Sequence, residues 1–368
     1  MSSHPQPRPA PPVTNMRLAS ALLALADAEE PGARPAAEYR SAARTLRQLE
    51  EDLWGRRISL AALPGVSARA ADAIGAFLSC GSDESVDDRL AAILDRDDPR
   101  AGAKSDFLSR ADVDRILAAP GGVSMADLCG DVHLHTDRSD GTMALGALHR
   151  ALEARGDRYA FLTDHARDCA VAGGLFPDDF RAQERDLRRL NERSERGFVM
   201  FLGAEANVAG DGTIDVLPAR VGELAAVVAS VHTELRSPGD QTARLVRALE
   251  TPGVAVLGHP RGRLYDVRSG VRADWPRVFA RAAQLGVALE LNGCPERLDL
   301  SPRLAQLAAD AGAFFSISSD AHAARHLPHL EFGLAVARLA GIPADRVVNT
   351  WSAERFEEWL ASCRGRQS

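Results

Sequence analysis

The chain has 368 residues, 45% of them hydrophobic, and a formal net charge of −7. This length is enough for one large domain and a smaller one, and the acidic balance excludes a general attraction to nucleic acids, so any such contact has to be local. The five cysteines are scattered without CxxC spacing, which argues against a disulfide framework and a cysteine-rich zinc site and fits a reducing cytoplasm.

The first predicted elements are a tail and a group of short helices. Residues 1–13 are proline-rich and contain no apolar run, which indicates a disordered tail and not a signal peptide. From residue 14 to 81, apolar residues recur at three- and four-residue spacing in NMRLASALLALADA and AAEYRSAARTLRQLEEDLWG, and a third helical stretch breaks at Pro64-Gly65. We expect a small all-α domain over 14–81 and an acidic connector with one or two weak helices over 82–123.

From residue 124 to 368 the pattern changes to short apolar runs that alternate with helical stretches. The runs are DVHLH, YAFLTDH, FVMFLGAE, AAVVASVH, VAVLGHP, VALELNG and AFFSISSDAH. This alternation is typical of a parallel α/β sheet, and seven units in this length approach the size of a βα barrel. We therefore predict an α/β fold with a seven-stranded barrel. No stretch is apolar for long enough to cross a bilayer, so we expect a cytoplasmic protein without membrane contact.

Six of the seven runs contain or end in side chains that bind metal ions. His133 and His135 lie two apart, so on a strand they point to the same face, and Asp140 follows before a glycine. The strand ends of a βα barrel converge on one rim, where these side chains are expected to meet. The candidate ligands are His133, His135, Asp140, His165, Glu205, His232, His259, Asp320 and His322.

Nine imidazole and carboxylate ligands are too many for one tetrahedral ion. We expect two or three divalent ions, of zinc, manganese or iron, with Glu205 as a bridging carboxylate. The alternative is that these residues are ordinary polar caps and packing residues at the ends of strands.

The motifs DVHLHTDRSDG, LTDH, GAE, ASVH, GHPRGRL, ELNGCPERLDLS and SSDAH resemble, in order and spacing, those of the polymerase and histidinol phosphatase (PHP) superfamily of metallophosphoesterases, over about residues 124–350. The resemblance implies a distorted seven-stranded βα barrel with a trinuclear site, and the family's nine ligand positions fall on the nine candidates. It is nearest to the PHP domain of bacterial family X DNA polymerases, whose opening helix-hairpin-helix domain residues 14–81 resemble. Only about forty residues separate the two similarities, which is too few for a polymerase palm, so we do not expect a polymerase.

The resemblance implies a phosphoesterase that uses metal-activated water. The expected substrates are nucleic-acid 3′ ends, cleaved by exonuclease or 3′-phosphatase action. The alternatives are a small-molecule phosphomonoesterase of the histidinol phosphatase type and a non-catalytic metal-binding regulatory module. Arg263 matches a family arginine and is expected to clamp a phosphate oxygen, unless it makes only a surface ion pair. Asp140 and His165 are the other expected catalytic residues.

Weaker candidates lie near the same rim. Glu290, Asn292 and Arg297 could line the pocket, although the loop after a strand is polar in any case. Asn207 stands where the related motif commonly has an aspartate, which puts the role of that carboxylate in doubt. Cys294 has no partner base in the sequence pattern, so we expect a packed thiol.

The helical segment 14–81 suggests weak nucleic-acid binding, because helix-hairpin-helix motifs present backbone N–H groups to phosphates. Ser67 replaces the motif's usual second glycine, and eight arginines balance eight acidic residues, so binding is expected to be weak at most. Lys104 is the only lysine, which excludes a Schiff-base lyase in this segment. The alternative is an inherited bundle that packs on the barrel or mediates assembly.

Overall fold

The computed structural model of the chain describes residues 14–30, 32–53, 59–79, 107–166, 173–216 and 224–366. The chain divides into two compact units, Met1–Arg115 and Ile116–Ser368. The expected tail over 1–13 and most of the expected connector, residues 82–106, lie outside the described residues. The domain boundaries expected from the sequence remain predictions.

The first unit contains three of the expected helices. They are α1 (Asn15–Ala28), α2 (Arg34–Gln48) and α3 (Ala68–Ser79). Helices α1 and α2 bury apolar side chains at helical spacing, among them Leu18, Leu22 and Leu46, which have no exposed surface.

The second predicted helix is wrong beyond Gln48, where α2 ends. The Asn15 side chain donates to the Glu51 carbonyl at 2.8 Å and accepts from the Leu53 N–H at 2.9 Å. In return, Asp52 Oδ1 accepts from the Asn15 backbone N–H at 2.7 Å. The backbone after α2 is therefore bound to the start of α1, and the apolar spacing that continues past Gln48 does not form a helix.

The second unit contains the seven predicted strands. They are β1 (Gly130–Leu134), β2 (Tyr159–Leu162), β3 (Val199–Asn207), β4 (Ala226–Ser230), β5 (Val254–Gly258), β6 (Ala288–Asn292) and β7 (Phe314–Ser318). The described helices from the connector onward are α4 (Arg110–Ala118), α5 (Leu145–Arg155), α6 (Pro177–Glu192), α7 (Thr242–Glu250), α8 (Trp275–Leu285), α9 (Pro302–Asp310), α10 (Leu330–Leu339) and α11 (Ala353–Arg364).

The strands form one parallel sheet in the order β1 to β7, which nearly closes into a barrel. The first and last strands meet through a bridge between Leu134 and Ala321, where the His135 N–H donates to the Ala321 carbonyl at 3.0 Å. The predicted distorted seven-stranded βα barrel is confirmed.

The apolar core of the barrel contains strand residues such as Val132, Phe161 and Val228, packed with Phe356 and Leu360 of α11. This burial does not involve the candidate ligands, so the fold does not depend on them for its hydrophobic stabilisation. No helix of the described segments has both the length and the apolar character needed to cross a membrane.

Candidate metal centre

The C-terminal ends of the strands bring all nine predicted ligands together. His133 and Glu205 lie within β1 and β3, and the other seven follow β1, β2, β4, β5 and β7 within six residues of a strand end. Donor atoms of seven of them form three overlapping groups in which all atoms lie within 4.8 Å of one another: His133, His135 and Glu205; His165, Glu205 and His232; and His135, Asp140, His165 and His322. The other two adjoin these groups, because His259 Nε2 lies 2.9 Å from Glu205 Oε1 and Asp320 Oδ1 lies 3.4 Å from His135 Nε2. The shared members make this one centre with several adjoining positions.

Glu205 lies at the middle of the cluster, with 1% of its surface exposed. Its two oxygens face different histidines. Oε2 lies 2.9 Å from His165 Nδ1, 3.4 Å from His133 Nε2 and 3.6 Å from His135 Nε2, and Oε1 lies 2.9 Å from His259 Nε2 and 3.3 Å from His232 Nε2. Burial by itself raises the pKa of Glu205, but the histidines, His165 first, hold it well below its usual range. This geometry supports the expected bridging role.

Several buried nitrogens in the cluster lack a hydrogen-bond partner. Such nitrogens are expected where side chains bind metal ions. They include His133 Nε2 and both ring nitrogens of His135. Both histidines have no exposed surface, and burial together with the neighbouring His322 and His165 lowers the pKa of His135 to about 4. The neutral, buried imidazole of His135 is suited to bind a metal ion, and such an ion would also satisfy nitrogens that are costly to leave buried without a partner. The cluster can hold several divalent ions, and its donors suit zinc, manganese and iron alike.

Asp320 lies two residues after β7 and is the third carboxylate of the cluster. Its backbone is in the left-handed region, with φ of 52°. Its Oδ1 lies 3.4 Å from His135 Nε2, and its Oδ2 accepts from Asn292 Nδ2 at 3.1 Å and lies 3.2 Å from Arg297 Nε. Asn292 and Arg297, weak candidates in the sequence, therefore contact a predicted ligand directly.

Glu290 was also a weak candidate, and the structure places it directly behind two ligands. It lies in β6 without exposed surface, and its Oε1 accepts from His133 Nδ1 at 2.7 Å. Its Oε2 accepts from the backbone N–H of His259, whose φ is 23°. Because Nδ1 of His133 is bound in this way, Nε2 is the nitrogen that faces the cluster.

Asp164 was missed in the sequence, although it stands beside a predicted ligand in LTDH. It is fully buried and accepts from the Thr136 N–H at 2.7 Å, the Ser139 hydroxyl at 2.6 Å and Gln183 Nε2 at 2.5 Å. These bonds fix the loop that carries Asp140. The available signal is a charged residue at the end of a fully buried strand, which requires hydrogen-bond partners.

The open side of the cluster is formed by Asp140 and His322, whose side chains are 33% and 28% exposed. Asp140 Oδ1 lies 3.2 Å from His322 Nε2, and Asp140 Oδ2 lies 3.5 Å from His165 Nε2. Burial opposes ionisation of Asp140, but hydrogen bonds from His165 and His322 hold its pKa below the usual range. Asp140 and His322 are thus the most exposed of the nine predicted ligands.

Arg263 is 1% exposed, and its Nε donates to the carbonyls of Arg297 and Leu298 at 3.0 Å each. Its Nη2 also donates to the Leu298 carbonyl. These contacts are to the backbone after β6, so the phosphate-binding role of Arg263 remains a prediction. Cys294 is half-buried, its Sγ donates to Glu296 Oε2 at 3.5 Å, and burial raises its pKa to about 12.

The chain was compared with known proteins. No family model matches it. DNA polymerase/3′-5′ exonuclease PolX of Bacillus subtilis is 30% identical over 239 residues, which are 65% of this chain and 42% of that protein. A probable phosphatase of Edwardsiella ictaluri is 30% identical over 249 residues, which are 64% of this chain and 95% of that protein. The structure of histidinol phosphate phosphatase from Lactococcus lactis, determined with zinc, L-histidinol and phosphate, gives a TM-score of 0.42 at 15% identity over 58% of this chain and 93% of that one.

A parallel βα barrel that gathers six histidines and three carboxylates at one rim defines a metal-dependent hydrolase. The chain spans less than half of the Bacillus protein but nearly all of the Edwardsiella phosphatase. Together these findings identify a metal-dependent phosphoesterase. The chain belongs to the PHP superfamily.

Proposed function

We propose that the chain hydrolyses phosphoester bonds at the 3′ ends of nucleic acids. The observation that carries this proposal is a group of three arginines, of which Arg297 contacts the predicted ligand Asp320. Arg297 adjoins Asp320 and keeps 22% of its side chain exposed. Burial, followed by the charges of Arg297 and Arg236, lowers the pKa of Arg268. The charge of Arg268 thus lies near two other cations, and several successive phosphates neutralise such a group better than one.

Arg268 belongs to the loop after β5, and Arg236, which follows β4, donates to that same loop. Arg268 Nε donates to the Gly262 carbonyl at 2.8 Å, and Arg236 Nη2 donates to the Val267 carbonyl at 3.3 Å. Arg236 is exposed and Arg268 is half-buried. The loop begins just after the predicted ligand His259, so a nucleic-acid strand with its end at the metal ions can extend along it.

Divalent ions at this centre would activate a water molecule and neutralise charge on the leaving oxygen. The residues of the chain supply the framework for that chemistry. Glu205 joins the histidines that face its Oε2 to those that face its Oε1. Arg297 is placed to donate from its guanidinium to a phosphate oxygen. Asp140 Oδ2 lies 3.5 Å from His165 Nε2 on the exposed side of the centre, so both side chains are placed to hold a metal ion there, and their expected catalytic roles remain predictions.

The relatives favour two substrate classes. The name of the Bacillus relative includes a 3′-5′ exonuclease, which supports the nucleic-acid proposal. A small-molecule phosphomonoesterase is the second candidate, because the chain covers 95% of a probable phosphatase. A single phosphate needs only one of the three arginines, and this difference makes the two candidates separable.

The test compares a 3′-labelled single-stranded oligonucleotide with p-nitrophenyl phosphate, using the full chain loaded with Mn²⁺. We expect Arg268→Ala to raise the KM for the oligonucleotide about tenfold and to weaken its salt dependence, without changing hydrolysis of the small ester. Arg281→Ala is the matched control, since Arg281 lies on α8 and pairs with Glu250 at 2.9 Å. Glu205→Gln should abolish both reactions, because it removes the charge that holds adjoining cations.

Three outcomes count against the proposal. Hydrolysis of phosphorylated metabolites without shortening of the oligonucleotide would favour the phosphomonoesterase. An Arg268→Ala variant that behaves like Arg281→Ala would remove the argument from the arginines. Stoichiometric metal without turnover of any ester would favour the regulatory module.

A further inference from the structure

A chain of three polar side chains lies behind the predicted ligand His232. His232 Nδ1 lies 2.6 Å from Asn207 Oδ1, and Asn207 Nδ2 donates to Asp215 Oδ2 at 2.5 Å. The other oxygen of Asp215 accepts from the Asn207 backbone N–H at 2.8 Å. Asn207 is therefore bound by Asp215 through both its backbone and its side chain.

For a neutral His232 and an ionised Asp215, the donor and acceptor groups allow only one arrangement of protons along this chain. An ionised carboxylate only accepts hydrogen bonds, so Asp215 has to face the NH₂ group of Asn207. The amide oxygen of Asn207 then faces His232 and requires a donor, which places the imidazole proton on Nδ1. Nε2 of His232 is left unprotonated, 3.3 Å from Glu205 Oε1, where a metal ligand has to be.

A short hairpin brings Asp215 to this position. Val208 and Ile214 form an antiparallel bridge, and the Ala209 N–H donates to the Thr213 carbonyl at 2.8 Å. The buried Arg244 donates to the Val208 carbonyl at 2.5 Å and to the carbonyl of Thr233, the residue after His232, at 3.1 Å. The hairpin and the loop of the ligand are thus joined by one guanidinium, which limits their relative movement.

The support behind His232 differs from that behind His133. A carboxylate, Glu290, contacts His133 Nδ1 directly and increases the basicity of that ligand. His232 receives a neutral amide, and the carboxylate of Asp215 stands one residue further away. The amide fixes the orientation and the tautomer of His232 without supplying a full negative charge.

We propose that Asn207 and Asp215 are positioning residues that hold His232 in the orientation and tautomer of a metal ligand. Because His232 is supported by a neutral amide, it binds its metal ion less tightly than His133, which is supported by a carboxylate, binds its own. The inference rests on the metal centre of the proposed function but not on the identity of its substrate. Removing the charge of Asp215 frees the Asn207 amide to turn over and present its NH₂ group to His232. That orientation favours the tautomer with a proton on Nε2, which cannot bind metal.

The test uses four forms of the full chain: wild type, Asp215→Asn, the double variant Asn207→Asp with Asp215→Asn, and Asp211→Asn. The double variant exchanges the two side chains, so that the carboxylate introduced at position 207 would accept from both His232 and the new amide. Asp211 is the matched control, because it lies in the same hairpin and binds Thr213 at 2.7 Å without a contact to Asn207. The His232 tautomer is measured by ¹⁵N-histidine NMR on metal-free protein and assigned with His232→Gln, and Zn²⁺ affinity is measured by chelator competition.

We expect Asp215→Asn to give a mixture of His232 tautomers and to weaken the binding of one Zn²⁺ by about 10- to 100-fold. The exchanged double variant should restore the Nδ1–H tautomer and bind that ion at least as tightly as wild type. The inference is overturned if Asp215→Asn matches Asp211→Asn, or if the exchange rescues neither tautomer nor affinity. Intact Zn²⁺ binding without phosphoester hydrolysis would contradict the proposed function and leave this inference standing.

Discussion

Arg263 and Arg297 are both candidates for binding a substrate phosphate, and their surroundings differ. Arg297 Nε lies beside Asp320, and part of its guanidinium side chain is open to solvent. Arg263 is buried, and its guanidinium is bound to the carbonyls of residues 297 and 298. The geometry favours Arg297 for direct contact with a phosphate and Arg263 for holding the backbone at Arg297.

Replacing each arginine by lysine distinguishes these roles, since lysine keeps the charge but loses the planar fork. We expect Arg297→Lys to lower kcat by about 10- to 100-fold, which is roughly 1.4–2.7 kcal/mol of transition-state stabilisation, at unchanged metal content and melting temperature. Arg263→Lys should lower the melting temperature more than Arg297→Lys does, because it leaves buried carbonyls without donors. Initial rates on p-nitrophenyl phosphate and thermal unfolding are the measurements. If only Arg263→Lys lowers kcat, Arg263 and not Arg297 is the residue that contacts the phosphate.

The sequence predicted the positions of the nine candidate ligands because each one lies within or just after an apolar run. The carboxylates behind them were harder to predict. Glu290 had a usable signal, since an acidic residue within a buried strand needs partners. Asp215 had none, because its contact with Asn207 depends on the hairpin of residues 208–214, whose closure cannot be derived from spacing. Side-chain partners across loops are set by tertiary structure and not by local pattern.

At the scale of elements, the seam between β1 and β7 is closed largely by side chains. Asn349, which has no exposed surface, donates from Nδ2 to the carbonyls of Gly130 and Ile317 at 2.9 Å each and accepts from the Ile317 N–H at 3.0 Å. Asp131 in β1 accepts from both the N–H and the hydroxyl of Ser319, the residue before Asp320. These side-chain contacts take the place of the backbone hydrogen bonds that a regular pairing of β1 with β7 would make.

Asn349→Ala should therefore destabilise the barrel by about 3 kcal/mol, because it leaves three buried backbone groups of β1 and β7 without partners. Urea unfolding followed by circular dichroism measures this loss. Asn191→Ala provides the comparison, since Asn191 makes a similar pair of bonds to Met200, at 3.0 Å each, but is partly exposed. We expect about 1 kcal/mol there. Equal losses in the two variants would show that the seam has no special dependence on Asn349.

The strands were predictable at this scale because parallel strands buried on both faces are continuous apolar runs. All seven runs overlap the observed strands, and the sheet order follows the chain. The end of α2 was not predictable, because Leu53 and Glu51 bind Asn15, more than thirty residues away. The seam could not be predicted either, since the sequence around Asn349 does not indicate which two strands its side chain joins.

At the scale of the whole molecule, the first unit contains a feature that opposes phosphate binding. Ser67, at the start of α3, accepts from the Ala70 N–H at 3.2 Å and donates to Glu38 Oε2 at 3.0 Å. Arg69 lies 3.7 Å from the same oxygen, and hydrogen bonds from Ser67 and Arg34 hold the pKa of Glu38 below its usual range. The Glu38 carboxylate would therefore repel a phosphate brought to the start of α3. Nucleic-acid binding by residues 14–81 remains a prediction that this contact weakens.

Deleting residues 1–81 tests where a nucleic-acid substrate is held. Arg236, Arg268 and Arg297 belong to the second unit. We therefore expect the shortened chain to keep kcat/KM within about twofold on both p-nitrophenyl phosphate and the 3′-labelled oligonucleotide. Arg268→Ala in the shortened chain should still raise the KM for the oligonucleotide alone. Circular dichroism and metal content establish that the shortened protein is folded and loaded. A deletion that spares the small ester and impairs only the oligonucleotide would show that the helices of the first unit, and not the arginines of the barrel, hold the strand.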